Sequence, residues 1–166
     1  MYDLDMRLRA GRRVRWSRFP RPAIANRITR TTDLAISNID SLVVSDRARA
    51  VLAAFCSKDL QFIPVTIRNK SGSALREPYW VVNCLRLVDC VDRKRSKLHV
   101  IDGRKYYDWV YFVEKKIPES VGMFRVKYDD SHVIVRGDLA RAVRAAGLTG
   151  VQFMAAGAPW EGSPVE

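Results

Sequence analysis

The last third of the chain places the strongest limits on its fold. It runs through Ile134-Val135-Arg136-Gly137-Asp138-Leu139 and then through Ala145-Ala146-Gly147-Leu148-Thr149-Gly150-Val151-Gln152-Phe153. Because glycine readily adopts the left-handed conformation that ends helices, this pattern predicts a strand, then an amphipathic helix over about 138–146 that stops at Gly147, then a closing strand from Val151. No group of residues with a catalytic or phosphate-binding pattern accompanies this segment. This part of the chain therefore indicates a packed domain that acts through its surface.

A second helix is predicted in the first half of the chain. Ser45 follows the apolar Leu42-Val43-Val44, and a serine in that position caps a helix, here over about 46–56. Its apolar residues recur at helical spacing and predict one buried face, formed by Ala48, Val51, Leu52 and Phe55.

The remaining apolar segments have the patterns of strands. Tyr79–Leu85 is apolar on both faces and is expected at the centre of a sheet. Pro64, inside the strand predicted over 60–67, indicates an edge strand or a bulge. Further strands are expected over 34–36, 87–92, 109–113, 124–128 and 133–135, the last two joined by a turn at 129–132. The sum is an α+β fold with a mostly antiparallel sheet and two short helices.

Length and composition divide the chain into three parts. With 166 residues, nearly half of them hydrophobic, the chain has the size of one domain and can bury a core. Residues 1–32 are expected to form a basic arm that need not be ordered, residues 33–154 the single α+β domain, and residues 155–166, rich in Ala, Gly and Pro, a tail.

The positive charge is concentrated in the arm. Of the formal net charge of +11, residues 1–30 contribute +7, from nine arginines and two aspartates. Arginines bind phosphate and carboxylate groups through two parallel hydrogen bonds. The arm therefore indicates nucleic-acid binding, an acidic protein partner, or only a solubilising leader. An Arg-rich transit peptide over 6–30 is a further alternative, and no apolar run reaches the ~18–20 residues of a membrane span.

The cysteines and histidines do not form a recognisable catalytic or metal-binding pattern. Cys84 and Cys90 are separated by five residues, which is not the spacing of structural zinc sites, and His99 and His132 are the only histidines. Three cysteines in odd number, Cys56 included, are typical of a reduced cytoplasmic protein. We therefore expect no metal, no cofactor and no catalytic residue.

The aspartates also fit structural roles. Asp129-Asp130 lies in the predicted turn, where aspartate commonly bonds the backbone. Asp89 and Asp92 are three residues apart, so in a strand they would point to opposite faces. This spacing disfavours a paired catalytic site.

Several segments, taken in order, resemble a known family. They are Leu42-Val43-Val44-Ser45-Asp46-Arg47-Ala48, Phe62-Ile63-Pro64-Val65, Tyr79-Trp80-Val81-Val82-Asn83, Val88-Asp89-Cys90-Val91-Asp92 with Ser96, Val135-Arg136-Gly137-Asp138-Leu139 and Gly147-Leu148-Thr149-Gly150-Val151-Gln152-Phe153. Over about 33–154 this order resembles immunity protein family eleven of the bacterial polymorphic-toxin systems.

The resemblance implies a cytoplasmic, non-enzymatic protein that neutralises a cognate toxin by a stoichiometric steric block. A basic inhibitor would suit an acidic toxin face. The surface expected to bind the partner is formed by the arm and by the loops over 69–76 and 93–97, and its candidate binding residues are cations and one aromatic. The motif residues are expected to hold the fold. The first set is Arg12, Arg13, Arg15, Trp16, Arg93, Lys94 and Arg95, and the second is Asn83, Asp89, Asp92, Thr149 and Gly150. The alternative is a nucleic-acid-binding accessory protein that uses the arm.

Overall fold

The central strand of the largest sheet spans Tyr79–Cys84, and both of its faces are buried. In the computed structural model, residues 7–8, 10–15, 23–25, 32–36, 41–68, 71–101, 104–127 and 132–155 are described. The strands are β1 Ala23–Ala25, β2 Leu34–Ile36, β3 Leu42–Ser45, β4 Leu60–Arg68, β5 Tyr79–Cys84, β6 Leu87–Val88, β7 Lys97–Ile101, β8 Arg104–Trp109, β9 Met123–Val126 and β10 Val133–Val135. The helices are α1 Asp46–Cys56 and α2 Gly137–Ala145, with a 3-10 turn at Glu114–Lys116.

The strands form three sheets. The largest has the order β1-β4-β5-β3-β2, in which only the β1–β4 pair is parallel. The second has the order β10-β9-β6, and the third is the hairpin β7-β8. The predicted α+β fold with mostly antiparallel pairing is confirmed, and β5 lies at the centre of its sheet as expected.

The two faces of the large sheet are covered by different elements. Alternate residues of a strand point to opposite faces, so Val82 and Cys84 pack with both helices while Val81 and Tyr79 pack on the other side. Leu8 and Val14, from the basic N-terminal segment, are buried in that second cluster. This two-sided cover explains why β5 is apolar along its whole length.

A third apolar cluster lies under the two smaller sheets. It contains Val88, Cys90, Val91, Tyr107, Val110, Val121, Phe124 and Val126. Phe112 meets Phe124 edge to face, with ring centroids 6.5 Å apart. Tyr107 of β8 is buried in this cluster and so connects the β7–β8 hairpin to it.

Helix α1 begins where the sequence predicts. The Ser45 Oγ accepts a hydrogen bond from the backbone N–H of Ala48 at 3.2 Å, which satisfies a donor at the helix start. Its buried face is centred on Ala48, Leu52 and Cys56. The expectation that Phe55 is buried is wrong, since that ring is 43% exposed. The spacing i, i+4, i+8 places Cys56, not Phe55, against the sheet.

Helix α2 and the β9–β10 hairpin agree with the predicted patterns. β9 and β10 are antiparallel, with Phe124 opposite Ile134. Helix α2 ends before Gly147, whose φ of 61° is the left-handed conformation expected of a stop residue.

Two predicted strands are wrong. Residues 151–153 have no regular structure, because the chain turns at Gly150 and Phe153 packs as an isolated side chain against the helical side of the core. The strand expected over 109–113 lies earlier, at Arg104–Trp109. Val110 is buried without ladder pairing, and Phe112 makes only a single bridge to Val91.

Pro64 lies in an interior strand, but next to a short neighbour. β1 pairs only with residues 66–68 of β4, so within the described strands Pro64 has a ladder partner, Trp80, on one side alone. The missing N–H of proline is tolerated there, as it would be on an edge.

Candidate interaction surface

The basic loop after β6 is held in one conformation by its own side chains. The Asp92 Oδ1 accepts the backbone N–H groups of Lys94 at 3.0 Å and Arg95 at 3.4 Å. The Ser96 Oγ accepts the N–H of Tyr111 at 3.0 Å, and the Arg95 guanidinium lies 4.2 Å from the centre of the Tyr111 ring. The loop therefore presents its cations from a fixed backbone.

Beside this loop lies an open depression of about 440 Å³. Its lining combines charged side chains of both signs with two valines, namely Asp89, Val91, Asp92, Arg93, Lys94, Val113 and Lys116. Asp89 forms an exposed ion pair with Arg93, at 3.6 Å. The structure thus brings together Asp89, Asp92, Arg93 and Lys94, which the sequence placed in two separate groups.

The arginines of the arm are attached to a different part of the molecule. Arg12, Arg13 and Arg15 are exposed, while the backbone between them is bonded to the outer face of the large sheet. The Gln61 side chain accepts the Val14 N–H at 2.9 Å and donates to the Val14 carbonyl at 2.8 Å. Trp16 lies outside the described residues.

Asn83 completes this attachment. Its Nδ2 donates to the Arg12 carbonyl at 2.9 Å and to the Gln61 Oε1 at 3.0 Å. The side chain is almost fully buried in β5. A buried amide of this kind is a strong constraint, because its hydrogen bonds are costly to leave unmade.

Thr149 and Gly150 connect the C-terminal segment to β2. The Thr149 N–H donates to the Asp33 Oδ2 at 3.1 Å, and the Leu34 N–H donates to the Thr149 carbonyl at 2.9 Å. Gly150, with φ of 88°, passes so close to the Leu34 carbonyl that a Cβ there would overlap it.

Asp33 is the centre of this junction, and no local pattern in the sequence predicts its role. It also accepts a hydrogen bond from the Ser45 Oγ at 2.8 Å, and the Arg47 Nε lies 4.0 Å away. Partial burial acts to raise the pKa of Asp33, but the bonds from Ser45 and Thr149, with the charge of Arg47, outweigh it and hold that pKa below its ordinary value.

The thiols lie in surroundings that suppress their reactivity. Burial, above all, raises the pKa of Cys56 to about 12 and that of Cys90 to about 11. It raises the pKa of Cys84 as well. A nucleophilic cysteine needs a lowered pKa, so these three side chains are core residues that stay protonated at neutral pH.

Two further features were not predicted from the sequence. Asp59 is buried and its Oδ1 pairs with the Arg86 Nε at 3.0 Å. Strand β7 carries three exposed aliphatic side chains, Leu98, Val100 and Ile101. The alternation of Leu98 and Val100 was the available signal, but it is too short to separate a strand from a loop.

Among the residues described, no three His, Cys, Asp or Glu side chains lie close enough together to hold a metal ion. Neither α1 nor α2 is long or apolar enough to cross a membrane.

Comparison with known proteins identifies the family. A comparison with curated proteins found no match. Residues 6–158 match the model of the Immunity protein family (Imm11). The match starts within the basic N-terminal segment, whose Leu8 and Val14 are core residues. Because the match spans nearly the whole chain, the chain belongs to the Imm11 family of immunity proteins.

Proposed function

We propose that this protein binds a cognate bacterial toxin in the cytoplasm and neutralises it by a stoichiometric steric block, without catalysis of its own. The observation that carries the proposal is the family match over residues 6–158. The toxin is proposed to belong to a polymorphic-toxin system. A block of this kind requires an interface of standard size, burying on the order of 1,600 Å² in total, and no reactive group.

The proposed partner has an acidic face. The exposed cations Arg93, Lys94 and Arg95 are presented by a rigid loop, and Arg12, Arg13 and Arg15 add a second basic region. Complementary charge accelerates association and excludes wrong partners. A loop that is ordered before binding also loses less conformational freedom when the complex forms.

The test is co-expression. Each toxin-like open reading frame next to the gene is expressed from an inducible promoter, with and without this chain. We expect one of them to arrest growth alone and to be tolerated with the chain present. The purified pair should form a 1:1 complex, and residual toxin activity should fall linearly to an end point at equimolar inhibitor. Protection without a complex, or at far less than equimolar amounts, would contradict a steric block.

The second candidate function is nucleic-acid binding through the arm. The observation in its favour is the exposure of Arg12, Arg13 and Arg15 in a segment with nine arginines. The affinity for a labelled duplex would then fall steeply with salt, by ~0.9 log units per log unit of salt for each phosphate contacted. Arg12→Glu with Arg13→Glu should weaken such binding. The matched control, Lys58→Glu with Arg76→Glu at exposed positions elsewhere, should weaken it less.

A further inference from the structure

Cations from two separate segments line the depression beside the loop over 93–97. Arg93 and Lys94 belong to the loop, whereas Lys116 belongs to the 3-10 turn at Glu114–Lys116. Lys116 is distant from the loop in the sequence, so only the fold brings it to this site. The depression therefore has a cation that no local pattern assigns to it.

The two carboxylates of the lining are already engaged. The Asp92 Oδ1 accepts the backbone N–H groups of Lys94 and Arg95, and it thereby holds the loop. The Asp89 Oδ2 lies 3.6 Å from the Arg93 Nη2, in an ion pair whose two side chains are 43% and 67% exposed. The negative charge of the lining is thus bound to groups of the protein itself.

The ammonium groups of Lys94 and Lys116 have no such partner. Both side chains are exposed, and neither forms an ion pair with a residue in the described part of the chain. Two unpaired ammonium groups at one concave site attract an anion. Because Asp92 already orders the backbone that carries Lys94, less conformational freedom is lost when the anion binds.

The surroundings of the depression are positive as well. Residues 89–97 and 114–116 together contain six cations and three anions, a net charge of +3. A field of this sign accelerates the approach of an acidic partner and disfavours a basic one.

The fixed carboxylates favour a single acidic side chain over a nucleic-acid backbone. A duplex presents a regular series of phosphates, and some of them would meet Asp89 and Asp92. An aspartate or glutamate side chain brings one charge, and its methylene groups can pack against Val91 and Val113 in the lining. The depression therefore fits an acidic residue that projects from a protein surface.

The surface continues from the depression to the N-terminal segment. Leu87 and Asp89 are exposed and Val88 between them is buried, so Leu87 and Asp89 lie on the same side of the chain. Gly11 passes so close that a Cβ there would lie 3.3 Å from the Leu87 Cγ. The exposed Arg12 follows Gly11. An interface centred on the depression can thus extend toward the arm, as its proposed area requires.

We propose that the depression beside the loop over 93–97 receives an aspartate or glutamate side chain of the toxin, whose carboxylate is bound by Lys94 and Lys116. This inference rests on the proposed function. It adds Lys116 to the interface, and it gives Asp89 the role of an opposing charge that its pairing with Arg93 keeps small.

The experiment compares variants of the full chain in the co-expression assay and in binding to the purified toxin domain. Lys94→Glu with Lys116→Glu reverses the proposed carboxylate-binding charges. The control, Lys58→Glu with Arg141→Glu, makes the same change in net charge at exposed cations elsewhere. All variants are first checked by circular dichroism and thermal unfolding, because exposed positions should shift Tm by no more than about 3 °C.

A third variant tests the sign of the ligand's charge. Asp89→Asn removes the opposing carboxylate and releases Arg93, so it should tighten binding of the toxin domain by about two- to fivefold. A gain in affinity has a further advantage, because a damaged fold does not produce it.

We expect Lys94→Glu with Lys116→Glu to bind the toxin domain at least about tenfold more weakly than wild type, while the control stays within about threefold. If wild type binds and protects, but this variant matches the control or Asp89→Asn weakens binding, the inference is overturned and the proposed function stands. If wild type neither protects nor binds, the proposed function fails and this inference falls with it. Binding of a labelled DNA duplex that Lys94→Glu with Lys116→Glu abolishes, without any toxin binding, would assign the site to nucleic acid.

Discussion

At the scale of single residues, the motif near the C-terminus acts through backbone geometry. Gly150 has φ of 88° and lies against the Leu34 carbonyl and the Thr32 side chain. Gly147 has φ of 61°, but a Cβ added there would meet no atom within 4 Å. The two glycines therefore share a left-handed backbone and differ in their surroundings. Comparing substitutions at the two positions distinguishes the cost of backbone strain from the cost of steric overlap.

Replacing these glycines with alanine should give different losses of stability. Gly147→Ala should lower the free energy of unfolding by about 1 kcal/mol, from left-handed strain alone. Gly150→Ala adds a clash with a carbonyl oxygen and should cost about 3 kcal/mol or more. Urea denaturation of both variants measures the difference. Equal losses would show that the β2 junction moves freely to admit a side chain.

Asp33 makes stability depend on acid pH. Its pKa is lowered in the folded protein, so its contribution is present above the unfolded pKa of about 3.9 and is lost as pH falls through the folded value. Asp33→Asn should cost about 1 kcal/mol at pH 7, because neutral acceptors bond more weakly. The difference in unfolding free energy between the variant and wild type should therefore shrink as pH falls through the folded pKa of Asp33. A difference that stays constant from neutral to acid pH would rule out the carboxylate as the cause.

At the scale of the elements, the start of helix α1 is held by one hydroxyl group that makes two hydrogen bonds. The Ser45 Oγ accepts from the Ala48 N–H and donates to Asp33, which joins the helix cap to the β2 junction. The cap is thus part of the contact between the helix and the C-terminal segment.

Removal of this cap should destabilise the protein more than an ordinary helix-end substitution. Ser45→Ala should lower the free energy of unfolding by about 1–2 kcal/mol, since both hydrogen bonds are lost. Ser57→Ala, at the exposed C-terminal end of the same helix, is the control and should change it by less than about 0.5 kcal/mol. Equilibrium denaturation in guanidinium measures both. A Ser45→Ala variant as stable as the control would be incompatible with this role.

At the scale of the whole molecule, the large sheet is covered by the helices on one face and by the N-terminal segment on the other. Leu8 is 1% exposed and Val14 3%. Gln61 and Asn83 bond the backbone between Arg12 and Val14 to the sheet. The described part of the basic segment from residue 7 to 15 therefore contributes to the core as well as to the charged surface.

Truncation of a core side chain in this segment should destabilise the entire domain. Leu8→Ala should cost about 2–4 kcal/mol, as for other buried leucines. Leu98→Ala, half-exposed on β7, is the matched control and should cost much less. Thermal unfolding monitored by both far-ultraviolet dichroism and tryptophan fluorescence should show a single transition that moves to lower temperature. A Leu8→Ala variant with an unchanged Tm would mean that the segment is not part of the cooperative unit.

Local patterns in the sequence determined the elements whose signals lie within a few residues. The Ser45 cap, the stop at Gly147, the apolar strand Tyr79–Cys84 and the β9–β10 hairpin follow from propensity, periodicity and turn chemistry. The cations of the loop over 93–97 were also identifiable, because a charge cluster after a strand is exposed in almost any fold.

Tertiary structure alone decided the features that depend on distant residues. Asp33 joins distant segments by hydrogen bonds only because the fold brings Thr149, 116 positions away in the chain, next to it. The side chains of Gln61 and Asn83 bond the backbone of the N-terminal segment only because that segment covers their face of the sheet. The expected strand at 151–153 did not form, since contacts of Thr149 and Phe153 with the core replaced a ladder. Local patterns determine which conformation a segment prefers, whereas burial and long-range hydrogen bonds determine which segments meet.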